Sequence, residues 1–357
     1  FLPFLRQTID LKKRYVDCFE PSGDPYDLLL DDFERGMPTS EIRAIFDGLK
    51  ASIVPLIAAV AARGPVVNDR CLHGDFPVDR QRAVCLSILR RLGFDDSKWR
   101  LDPTAHPFAS NTGLGDIRLT TRYYPDFISP ALFGSMHEFG HGLYEHGVSP
   151  ALERTPLCRG ASLGIHESQS RLWENIVGRS REAWTCFLPE LQEAFPQLRA
   201  VGVEDFYRAV NAVQPGFIRV EADELTYSLH VILRFELEQE MLSGAVKLEE
   251  LPEIWNARMK QYLGVDVPDG QGHNYGGAMP AVDARSYLSG LLIGAGVLGA
   301  VNVGLAGARL GLSLGEPTAA HEQARLILTA VVMPIDVAAG IGLAAGGGYL
   351  RGRRDGY

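Results

Sequence analysis

Two histidines four residues apart, His137 and His141, bracket Glu138, Phe139 and Gly140 inside the stretch 129–147. That spacing has a use on an α-helix, where residues i and i+4 rise from one face, one above the other. Ser129-Pro130 opens the stretch as a helix should, with a serine to cap free N–H groups and a proline at the first helical position; Gly147 closes it. Both imidazoles then aim at one spot, and the small Gly140 and Gly142 leave room for a neighbouring element to approach closely. If that spot is used, the fold must bring this helix inward and deliver a further side chain to it.

Two imidazoles converging on a point suit a metal ion. The same pentad also arises by chance, and its histidines then face solvent. A third ligand separates the two readings. His166-Glu167-Ser168-Gln169-Ser170-Arg171 follows on a second helix capped by Ser162, with Glu167 on the side shared with Leu163 and Ser170. Two histidines and a carboxylate are the donor set of hydrolytic zinc sites, which keep a fourth position open for water. Glu138, beside His137, can take a proton from that zinc-bound water as general base and pass it to a leaving amine. The pattern points to a zinc peptidase with one ion per chain, other divalent metals being alternatives.

Composition narrows the setting. A hydrophobic fraction of 46% and a formal charge of −9 fit a globular protein, and no clustered basic face marks a nucleic-acid partner. The five cysteines, at 18, 71, 85, 158 and 186, form no CxxC pair, so reduced thiols and a cytoplasmic catalytic portion are expected. Residues 1–265 read as mostly helical, except that 117–123 alternates apolar and polar positions as a strand does. Residues 266–286 read as a linker. From 287 to 357 the chain turns Gly/Ala-rich and apolar: 287–308 is read as an apolar span and 326–350 carries only Asp336. Each stretch reaches the roughly 20 residues of a bilayer crossing, so a two-span membrane hairpin over 287–350 is one reading, with Arg351, Arg353 and Arg354 on the cytoplasmic side. A pair of buried helices is the other, favoured by Pro334 and Asp336.

Several motifs follow one another along the chain: Asp24-Pro25-Tyr26-Asp27, His106-Pro107-Phe108, Gly115-Asp116-Ile117-Arg118-Leu119-Thr120-Thr121-Arg122, the pentad at 137–141, the hexad at 166–171, and Ile218-Arg219-Val220-Glu221-Ala222-Asp223. Together they resemble the thermostable, Taq-type metallocarboxypeptidase family over about residues 10–270. The resemblance implies a mostly α, helical zinc-peptidase fold with a deep active-site channel and a small edge strand or sheet. It implies a homodimer that removes single residues from peptides with a free C-terminus. It also implies zinc on His137, His141 and Glu167, Glu138 as base, and Arg219 in the substrate pocket. Chemistry agrees on Arg219, since a guanidinium grips a terminal carboxylate with two parallel hydrogen bonds. An ion pair of Arg219 with Glu221 or Asp223 is the other reading. His106 either contacts substrate or caps a turn; His166 is a candidate to aid the substrate; His146 and His230 read as ordinary surface or packing histidines. The strand at 117–123 suits a substrate backbone laid along a sheet edge, and packing alone is the other reading.

The sequence departs from the family pattern twice. Family members carry a further helical portion ahead of the position of residue 1, so the chain reads as truncated at its N-terminus. After about residue 270 the family continues into an Asp-x-His-Trp motif and an aromatic stretch that supply substrate contacts, whereas here Gly272-His273-Asn274-Tyr275 leads into the apolar tail. Losing an electrophilic donor costs about a hundred- to a thousandfold in rate. The alternative function is therefore a catalytically impaired, zinc-binding, membrane-anchored pseudo-peptidase.

Overall fold

Helix-forming, apolar-periodic segments dominate the chain, and the computed structural model turns them into ten α-helices and one small sheet among the described residues, which are 2–20, 23–64 and 66–267. The expected linker beyond 267, the apolar tail with its membrane hairpin, and His273 and Tyr275 lie outside the described residues. The first helices are α1 (Leu2–Val16), α2 (Pro25–Asp31), α3 (Thr39–Ala62) and α4 (Val78–Leu92). The strands β1 (Trp99–Pro103), β2 (Ala109–Gly113) and β3 (Asp116–Thr121) follow. Then come α5 (Ser129–His146), α6 (Leu163–Arg171), α7 (Arg181–Ala194), α8 (Val203–Val210), α9 (Tyr227–Ser243) and α10 (Leu251–Leu263).

The predicted strand is β3, and it is the centre of the sheet. It pairs in parallel with β1, Leu101 opposite Leu119, and antiparallel with β2, Ala109 opposite Leu119. Both of its hydrogen-bonding edges are thus taken by the chain itself over Asp116–Thr121, which favours the packing reading of this strand over a substrate backbone laid along it. Ile117 and Leu119 face inward and Arg118 faces out, where it pairs with Asp116 at 2.8 Å.

The inward face of the sheet packs on α5. A Cβ on Gly142 would stand 2.5 Å from the Trp99 ring and 2.8 Å from Ile117, so only a glycine admits β1 and β3 at this distance. Around that contact lies an aromatic core in which Phe139 of α5, Trp184 of α7, Phe206 of α8 and Ile88 of α4 are fully buried. A second packing centre joins α2, α3 and α9, where Tyr26 and Phe46 both meet Phe235 edge to face. By length and composition α3 could cross a membrane, with mean hydropathy 1.7 over 18 residues. Here it buries Ile42, Phe46, Ile53 and Ile57, and its Lys50 pairs with Glu236 of α9.

Candidate metal centre

Helix α5 runs over nearly the span read from the sequence, with Pro130 in its first turn and Gly147 as the residue after its end. Ser129 makes no side-chain cap there. Ser162 does cap α6, accepting from the Ile165 N–H at 3.0 Å while donating to Glu34 at 2.7 Å. Glu34 also accepts from the Gly164 N–H at 2.8 Å, which pins the start of α6.

The two helices cross at Gly140. A Cβ there would overlap the Gln169 carbonyl oxygen and lie 2.5 Å from the Ser170 Cα, both backbone atoms. Gly140 sits between His137 and His141, and Ser170 lies one turn beyond Glu167, so this backbone contact brings the three side chains together. The Nε2 atoms of His137 and His141 are 3.1 Å apart. Glu167 Oε2 stands 3.7 Å from the first and 3.3 Å from the second.

Bonds of about 2.1 Å at tetrahedral angles separate ligand atoms by about 3.4 Å, so the three donor atoms stand where a divalent ion in the zinc size range would want them. The tautomers agree. His137 Nδ1 bonds Glu174 Oε2 at 2.7 Å, and His141 Nδ1 bonds His166 Nδ1 at 2.5 Å. With each Nδ1 acting as donor, each Nε2 presents a lone pair to the centre, and outer partners of this kind fix ring orientation. His166 in turn bonds Glu145 through Nε2 at 2.9 Å.

Electrostatics separates the carboxylates. Burial pushes the Glu138 carboxyl up to about 7, with Glu167 and Glu174 adding to the rise. Burial works the same way on Glu167, but His137, Arg171 and His141 outweigh it and hold that carboxyl well below its ordinary range. Glu174 is likewise held down at about 2, because Arg171 and His137 beat its burial. The His141 imidazole falls to about 4 through burial, helped by its neighbour His137. Glu138 is thus the one carboxyl of the three poised to exchange a proton near neutrality, while the other two stay anionic.

The remaining expected residues fall in two groups. Arg219, in a short 3-10 turn Arg219–Glu221 ahead of α9, donates to Tyr227 Oη at 2.8 Å. The carboxylates offered as its partners are engaged elsewhere: Glu221 accepts from Tyr124 Oη at 3.1 Å, and Asp223 takes the N–H groups of Leu225 and Thr226 at 3.0 Å. His106 lies between β1 and β2, and the adjoining Pro107 packs toward Gly134, one turn before His137 on α5. Both ring nitrogens of His166 are occupied by His141 and Glu145. His146 packs on Trp99 and bonds the Leu114 carbonyl at 2.5 Å, and His230 is fully buried. Sequence reasoning missed Glu145, Glu174, Arg171 and Tyr227. Glu174 had a signal, falling seven residues after Glu167 on the same helical face.

Against this geometry the comparisons with known proteins are unambiguous. The family model described as carboxypeptidase Taq (M32) metallopeptidase matches residues 1–273. This chain belongs to that family. It is 44% identical over 278 residues to thermostable carboxypeptidase 1 of Thermus thermophilus, covering 75% of this chain and 54% of that protein. It is 43% identical over 266 residues to carboxypeptidase 1 of Bacillus subtilis, covering 74% and 53%. The chain therefore spans about half the length of the curated relatives it matches. Among solved structures, one titled BsuCP superposes with a TM-score of 0.77 at 37% identity, covering 94% of this chain and 65% of that one. Pyrococcus furiosus carboxypeptidase, in a structure titled Apo-Mg, gives 0.77 at 33% identity, covering 94% and 66%. Membership in this metallopeptidase family implies a divalent metal, and the group His137, His141 and Glu167 can hold one.

Proposed function

We propose that this M32 chain is a zinc-dependent metallocarboxypeptidase that hydrolyses the C-terminal bond of peptides with a free C-terminus. The observation that carries the reading is the three-ligand cluster with Glu138 buried beside it at 5% exposure. His137 and His141 would hold the ion through Nε2 and Glu167 through Oε2. Zinc bound there supplies Lewis-acid polarisation and lowers the pKa of the attacking water. The chain's own groups do the rest. Glu138 takes the proton from that water and returns it to the leaving amine nitrogen. Arg219, oriented by Tyr227, holds the terminal carboxylate, which fixes cleavage to the last bond. His166 and Glu145 hold His141 and Glu174 holds His137, so His166 acts on the ligand and not on the substrate.

The test pairs one substitution with one substrate change. Glu138→Gln keeps the ligands and removes the base, so zinc is retained and turnover falls about a hundred- to ten-thousandfold. Amidating the peptide C-terminus removes the anion that Arg219 reads, and hydrolysis stops. Cleavage of amidated peptides at internal bonds would turn the assignment to an endopeptidase. Stoichiometric zinc with no turnover of any peptide would favour the pseudo-peptidase.

A further inference from the structure

Arg171 is the last residue of α6 and is 6% exposed. Its Nε donates to Glu167 Oε1 at 3.0 Å, leaving Oε2 of the same carboxylate turned to the two histidines. Its Nη1 donates to Glu174 Oε2 at 2.9 Å, the oxygen that also bonds His137 Nδ1. The guanidinium carbon lies 3.6 Å from the centre of the Tyr227 ring, and the hydroxyl of that ring accepts from Arg219. Beyond Arg171 the chain widens into a π turn, Leu172–Val177, which carries Glu174; such turns recur at functional sites.

We infer that Arg171 is a positioning residue that couples the metal cluster to the Arg219 anchor, so that both ends of the substrate-binding geometry are set by one buried guanidinium. The metal half stands on the His-His-Glu cluster; the anchor half rests on the carboxypeptidase reading. Three contacts on one planar group define the role. One arm aims the ligand carboxylate, a second aims the carboxylate behind His137, and the flat face fixes the ring that orients Arg219. A lysine offers a point charge without the fork or the flat face, so it cannot make all three contacts. Removing the guanidinium also takes from Glu167 and Glu174 the cation they share, and leaves Glu174 with Arg179 at 3.8 Å.

The experiment measures zinc affinity of the full chain by competition with a chromophoric chelator, and kcat and KM on a peptide with a free C-terminus. Arg171→Lys lowers zinc affinity about ten- to a hundredfold and raises KM, measured at saturating zinc, with the helical circular dichroism unchanged. Tyr227→Phe keeps the ring under Arg171 and removes the hydroxyl, so KM rises while zinc affinity holds. Tyr227→Leu removes the ring as well and moves both quantities. Arg171→Lys with zinc affinity within about twofold of the parent, or with KM unchanged, overturns the coupling. If Arg171→Lys does not fold, the tyrosine pair decides, and equal zinc affinity for the Phe and Leu variants overturns it. A parent chain that binds zinc and cleaves no peptide overturns the carboxypeptidase reading instead, and the zinc affinities alone then decide the role of Arg171.

Discussion

Glu238, on α9, keeps its carboxyl 8% exposed, with the Tyr26 hydroxyl donating to its Oε2. Burial raises that carboxyl well above its ordinary value of 4.5, and the bond from Tyr26 and the charges of Arg234 and Lys12 offset only part of the rise. Between the ordinary and the raised value the folded chain holds a proton that the unfolded chain has released. Stability then falls as pH rises, since the unfolded state binds fewer protons there. Below the ordinary value both states are protonated and the effect vanishes. Thermal melts should therefore drop as pH is raised above the ordinary carboxyl value, and Glu238→Gln, which keeps an acceptor for Tyr26, should flatten that slope. A variant with the parent's slope would show that Glu238 is ionised in the fold. The run Glu236-Leu237-Glu238-Gln239-Glu240 reads on its own as a solvated, acidic stretch of helix. Glu238 instead lies where Tyr26 of α2 reaches α9 and where α1 and α3 also pack, which no local pattern encodes.

At the scale of elements, what the sequence reveals depends on whether the instruction is local. The span of α5, the Ser162 cap and the alternation of β3 are written within a few residues of where they act, and all three are readable there. Neither partner strand is. β2 is Ala109-Ser110-Asn111-Thr112-Gly113, with no apolar alternation, and it exists because β3 offers a ladder. The glycines of α5 are legible as close-approach sites, but which neighbour each admits is a tertiary matter, and it yields a contrast. Gly140→Ala drives a methyl into the Gln169–Ser170 backbone, which cannot yield without moving α6 and Glu167 with it. It should cost about 1–3 kcal/mol of stability and about tenfold or more in zinc affinity. Gly142→Ala meets the Trp99 ring and the Ile117 side chain. It should cost similar stability and leave zinc affinity close to the parent's, because α6 is not displaced. Melts and zinc titrations of the two variants check the contrast, and equal losses of zinc affinity would contradict it.

For the molecule as a whole, the same logic explains which half of the site is readable in advance. His137, His141 and Glu167 announce themselves by residue type and spacing, because ligand chemistry admits few substitutes. Glu174, Arg171 and Tyr227 act across a π turn and between α6 and α9, and no pattern in a single chain encodes which helix lands beside which. The cluster that results ties α5 to α6, and α5 is the helix that the sheet, α4 and α7 pack around. An ion bound there must stabilise the fold as a unit. A ligand that binds only the folded chain adds RT ln(1 + [L]/Kd), about 2.7 kcal/mol at a hundred times Kd. For a chain of this size each kcal/mol moves Tm by about 1–2 °C, so zinc at that excess should raise Tm by roughly 3–5 °C, and a chelator should reverse the shift. His137→Ala should abolish the zinc increment, since the ion loses a ligand, whereas Glu138→Gln should keep it, since the base is not a ligand. A zinc increment that survives His137→Ala would place the bound ion somewhere other than this cluster.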